Sequence, residues 1–143
     1  MKRKIAMVTL VTASTLLFSL FAYASYEKLK IYPTFVQQLS LSPVTKGYEN
    51  FLAWFVPSLE ILLALSLLFK RTRLTALWGS FFLMLLFTVY VFVVPHFYQQ
   101  HTCSCGGIIS KLSWKGHFYM NLGFTLLAAT AVSLFPYTRK QLA

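Results

Sequence analysis

Four apolar runs, Ile5–Ala24, Phe51–Phe69, Leu74–Val94 and Phe118–Phe135, constrain this chain more than any other feature. Each is 18 to 21 residues long. A helix needs about 20 residues, range 17–25, to cross the hydrocarbon core of a bilayer. Backbone groups in lipid must be paired within the segment, so runs of this length read as helices rather than isolated strands. The predicted fold is all-α: one membrane domain over residues 1–143, built as an integral four-helix bundle.

Composition removes the soluble alternative. Of the 143 residues, 57% are hydrophobic and only 11% charged, against about 25% charged in an ordinary soluble domain. The net charge of +10 does not indicate nucleic acid. The basic residues form small clusters between apolar runs instead of lining one face. Such clusters set topology: Lys2, Arg3, Lys4, then Lys70, Arg71, Arg73, then Arg139 and Lys140 fall in very short segments on one side. The other side carries Lys28, Lys30, Lys46, Lys111 and Lys115, spread over the long loops Ser25–Asn50 and Pro95–His117 with Glu27 and Glu49. The positive-inside rule then puts both termini in the cytoplasm and both long loops outside. A rival reading takes Lys2-Arg3-Lys4, the first run and Ala22-Tyr23-Ala24 as a cleavable signal peptide. The first run is longer than the roughly 7–15 residues of a signal h-region.

In the first outer loop Tyr32, Phe35, Val36 and Leu39 recur at helical steps. Pro33 suits a helix start and Ser42-Pro43 a stop. The expectation is a short amphipathic helix on the outer membrane surface; an ordered loop with scattered apolar residues is the bland alternative.

Reactive groups gather in the second outer loop, which holds His96, His101, Cys103, Cys105 and His117, with Gly106-Gly107 directly after the cysteines. Two thiols one residue apart close only a small strained ring, and strained disulfides are the labile, catalytic kind. Lys111, His101 and His117 nearby favour thiolate, the attacking form. The space outside a bacterial inner membrane supports this chemistry. A metal site is the second reading: His101, Cys103 and Cys105 offer one nitrogen and two sulfurs, and His96 or His117 a fourth ligand for zinc or copper. An inert cysteine pair is the third. Glu60, the only acidic residue inside a run, lies roughly 14 Å into the second helix at about 1.5 Å per residue. A carboxyl at that depth is a functional candidate: it can bind a quinone headgroup, relay protons or hydrogen-bond a neighbouring helix. Pro57 precedes it by one turn. His117 and Asn121 share a face of the last helix, where His117 suits either a base for thiol exchange or, with Trp114, an interfacial anchor. Thr88, Tyr90 and Tyr119 are expected to pack.

Three stretches carry a family likeness. They are Lys28-Leu29 with Phe35-x-x-Gln38-Leu39 and Ser42-Pro43; Pro57-Ser58-Leu59-Glu60 before an apolar run; and Cys103-Ser104-Cys105-Gly106-Gly107 followed by Leu112-x-Trp114-x-x-His117-x-x-x-Asn121. Together they resemble the MauE/DoxX group of small bacterial membrane proteins, in particular its redox-associated, MauE-like branch. The resemblance implies a four-helix membrane bundle associated with methylamine utilisation, helping to form or protect disulfides in the small subunit of methylamine dehydrogenase. The expectation for this chain is a thiol–disulfide role, possible oxidoreductase activity included. Cys103 or Cys105 would exchange with an exported thioredoxin-like or client protein carrying cysteines, aided by His117 and Glu60, with a membrane quinone as the conceivable cofactor. The membrane lipid is the other expected partner. The alternative is a non-catalytic scaffold or metal-binding subunit of a maturation complex.

Overall fold

The computed structural model describes residues 1–98 and 114–142. Among these residues the regular elements are all helices: α1 Lys2–Lys30, α2 Tyr32–Leu41, α3 Glu49–Leu68, α4 Arg73–Tyr98 and α5 Trp114–Leu142. Four of the five, α1, α3, α4 and α5, are long and apolar enough to cross a membrane. The chain is a multi-pass membrane protein built as a four-helix bundle.

The long helices alternate in direction. The termini and the tight α3–α4 turn therefore share one end of the bundle, the terminal end. The α1–α3 connection, the last turn of α4 and the first turn of α5 share the other, the connection end. At the α3–α4 turn the Thr72 hydroxyl donates to the carbonyl of Ser66 (2.8 Å) and the Arg73 Nε–H to that of Leu67 (3.2 Å), which satisfies carbonyls left open where α3 ends.

The core runs along the bundle axis. From α1 come Leu10, Ala13, Leu17 and Phe21; from α3 Leu63, Ala64 and Leu67; from α4 Ala76, Leu77, Leu83 and Met84; from α5 Ala128, Ala131 and Phe135. Five of these are alanines, which lets helices approach closely where lipid supplies no hydrophobic drive and van der Waals contact carries association. Phe82, Leu86, Leu62 and Leu126 point outward from the bundle, as residues meeting lipid must.

The short helix expected in the first connection is present as α2. Pro33 sits in its first turn and Ser42 caps its C-terminus. Its apolar face is not left to the membrane surface: Phe35 and Leu39 are buried against Ala53 of α3, with Tyr32, Val36 and Leu52 around them. The turn after α2 is held by Thr45, whose hydroxyl donates to the Leu39 carbonyl (2.6 Å), and by Gly47 at φ 93°, where a side chain would be strained. Most helix boundaries exceed the apolar runs: α1 spans Lys2–Lys30 rather than 5–24, α3 begins at Glu49, α4 continues to Tyr98, and α5 occupies Trp114–Leu142 rather than 118–135 alone.

Candidate functional site

The charged centre of the bundle is an ion pair between α1 and α3. Lys28 Nζ donates to Glu60 Oε1 at 2.5 Å, and each side chain is 1% exposed. Glu60 faces inward because Ala53, Pro57, Glu60, Ala64 and Leu67 form the buried stripe of α3. Lys28 faces inward because it continues the stripe Leu17, Phe21, Ala24 of α1. Burying either charge alone in this setting would be costly; together they compensate. The ammonium also lies over aromatic faces, 5.0 Å from the Phe87 ring centroid and 6.0 Å from that of Phe35, within cation–π range.

Glu60 is thus a structural partner of α1 as well as a buried carboxylate, which realises the expectation of a link to a neighbouring helix. Lys28, counted from sequence among the loop charges, is instead a core residue. The signal that identifies it is its spacing: it stands four residues after Ala24 and seven after Phe21, in phase with the buried face.

A second polar stripe descends α5. His117, Asn121 and Thr125 follow one another at four-residue steps, 5%, 4% and 4% exposed. The Thr125 hydroxyl donates to the Asn121 carbonyl (2.7 Å) and meets the Thr88 hydroxyl of α4 at 3.1 Å. Thr88 in turn donates to the Met84 carbonyl (2.7 Å). Asn121 and Glu60 share a small cavity of about 10 Å³ with Phe21, Ala24, Met84 and Met120. Glu60 Oε2 and Asn121 Nδ2 have no hydrogen-bond partner among the described residues. The stripe therefore connects the first turn of α5, where His117 lies buried, to the ion pair at the bundle centre.

Of the residues singled out from sequence, the fold brings Glu60 and Asn121 to one cavity, with His117 buried one turn before Asn121 on α5. His117 is not an exposed interfacial anchor. His96 lies on the exposed side of α4, with Nδ1 2.9 Å from the Phe92 carbonyl and its ring stacked on Phe92 (4.5 Å between centroids). Tyr90 donates to Ser42 Oγ (2.8 Å), tying α4 to the turn after α2. Tyr119 is exposed. Cys103, Cys105 and His101 lie outside the described residues, in the segment joining α4 to α5, and the metal-ligand set drawn from them lies there too. Among the described residues no three of His, Cys, Asp and Glu come together as metal ligands.

The family described as "Methylamine utilisation protein MauE" matches residues 5–134, nearly the whole chain. The chain belongs to the MauE family. The match runs from the first span into α5 as far as residue 134 and so includes the ion pair, the α5 stripe and the cysteine segment. No curated protein and no solved structure matches this MauE-family chain.

Proposed function

We propose that this MauE-family protein supports thiol–disulfide chemistry in the maturation of an exported partner, with Cys103 and Cys105 as the exchanging pair. A client thiolate attacks the Cys103–Cys105 disulfide, forms a mixed disulfide and releases one cysteine as thiolate. The client's second thiolate then displaces the other, leaving an oxidised client and a reduced pair. The chemistry of the partner is that of a thioredoxin-like or client protein with paired cysteines.

The observation that carries this reading is the buried stripe His117–Asn121–Thr125. It begins twelve residues after Cys105, at the first turn of the helix that the cysteine segment enters, and its middle member Asn121 shares a cavity with Glu60. The His117 imidazole is the candidate base toward a thiol of that segment, the role expected of it from sequence. The charge pattern supports an orientation with both termini in the cytoplasm of a bacterial inner membrane and the cysteines outside. With Lys28 inside the bundle, the connection end keeps only Lys30, Lys46, Lys111 and Lys115, which sharpens the asymmetry on which the positive-inside rule depends.

Serine replacement of both cysteines tests the proposal. The expected result is loss of disulfides in the client at unchanged membrane levels of the variant. Unchanged client oxidation would favour the other reading, a non-catalytic scaffold or a metal-binding subunit using His101, Cys103 and Cys105.

A further inference from the structure

A cavity of about 260 Å³ opens beside the ion pair, between α2, the turn after it, α3 and α4. It lies just below the usual range of about 300–1,000 Å³ for small-molecule sites, so it suits one ring rather than a whole lipid. Its walls are apolar: Phe35 of α2, Val56 of α3 and Phe87 of α4 are among them, with Tyr90 fixed by its bond to Ser42. Leu86 and Val44, 63% and 50% exposed, edge a mouth toward the bilayer. The one charged group lining it is Lys28.

Lys28 specifies the occupant. An ammonium has three N–H donors. One goes to Glu60 Oε1, and no other acceptor among the described residues takes the remaining two. The side chain is 1% exposed, so these donors are shielded from bulk water. A molecule in the cavity can supply an acceptor oxygen. It is neutral, because Glu60 already balances the ammonium. The Phe35 and Phe87 rings in the cavity wall favour a flat ring against them. It enters from lipid. The pocket lies toward the connection end of the bundle: Leu52 and Val56 come from the first two turns of α3, and Val44 and Thr45 from the turn before it. We propose that this pocket binds the ring of a lipid-soluble quinone, with a ring carbonyl accepting a hydrogen bond from Lys28 Nζ and the tail leaving past Leu86 and Val44.

The inference deepens the thiol–disulfide reading by naming its electron carrier. Forming one S–S bond from two thiols releases two electrons and two protons, which is what a quinone takes up on reduction to quinol. The site itself stands on the pocket and does not depend on the cysteines.

The test uses the full chain in phosphatidylcholine–phosphatidylglycerol nanodiscs, with decylubiquinone as the probe and quenching of tryptophan fluorescence as the readout. The wild type is expected to show saturable quenching. Val56→Phe and Leu52→Phe, two independent ways of filling the pocket, are expected to weaken binding at least tenfold, while Leu65→Phe on the exposed side of α3 leaves it unchanged. Cys103→Ser/Cys105→Ser is expected to bind like the wild type, so failure of the thiol reading and failure of the quinone site give different results. Quenching that never saturates, or that is the same in the filled variants and the wild type, would overturn the proposal. So would phospholipid that stays bound to the purified protein and that decylubiquinone cannot displace.

Discussion

Lys28→Met alone and Glu60→Met alone are each expected to destabilise the bundle by about 3–5 kcal/mol, the cost of leaving one buried charge without its partner. The pair ties α1 to α3 with both side chains 1% exposed. Neither remaining group is exposed to bulk water. The double variant Lys28→Met/Glu60→Met removes both charges and fills similar volume, so it is expected to recover most of the loss. The two residues should therefore show strong coupling in a double-mutant cycle. Thermal unfolding in detergent, together with the amount of each variant retained in the membrane, reads the effect. Additive losses in the double variant would mean that the two charges do not depend on each other.

Phe21→Ala is the second large effect, at about 3 kcal/mol, the lower end of the range for a buried phenylalanine. Phe21 is 1% exposed, belongs to the central core and walls the small cavity below Glu60 and Asn121. The lower end applies because helices separated in lipid keep their side chains in an apolar solvent, so the loss is one of packing more than of transfer from water. The enlarged cavity would also admit water beside the ion pair. A drop in thermal midpoint at unchanged helix content is the expected signature. A midpoint equal to that of the wild type would show that α1 does not pack through this residue. Leu16→Ala, on the exposed side of the same helix, provides the control and should shift little.

The four spans are legible in the sequence because bilayer thickness sets their length directly. Their ends are less so. Hydropathy reports which residues tolerate lipid, whereas a helix ends where its backbone bonds end, so α1 runs on through the polar stretch Tyr26–Lys30 and α5 begins at Trp114. The amphipathic pattern of residues 32–39 gives a helix correctly, but pattern alone does not choose between a membrane surface and a neighbouring helix. Phe35 and Leu39 chose Ala53 of α3.

In the candidate site, Glu60 and the His117–Asn121 face stand out from sequence, since a carboxyl within an apolar run and two polar residues four apart are visible locally. Lys28 belongs to a stretch of family likeness, but its burial is not legible there. It lies among Glu27 and Lys30 in a stretch that reads as loop, and its partner is 32 residues away. Only after α1 is extended in register past Ala24 does it fall on the buried face. The pocket beside it was hidden for the same reason, being assembled from α2, α3 and α4 around a lysine that sequence assigns to the surface.

The central claim, that Cys103 and Cys105 exchange disulfides on the non-cytoplasmic side, is tested most directly by trapping their redox state in intact cells. A membrane-impermeant maleimide is applied with and without prior reduction, to the wild type and to each single Cys→Ser variant. The expected result is a pair that labels only after reduction in the wild type, with a mixed disulfide to a second protein in one single variant. Thiols that stay reduced and label only after a chelator is added would contradict the claim and assign the cysteines to a metal.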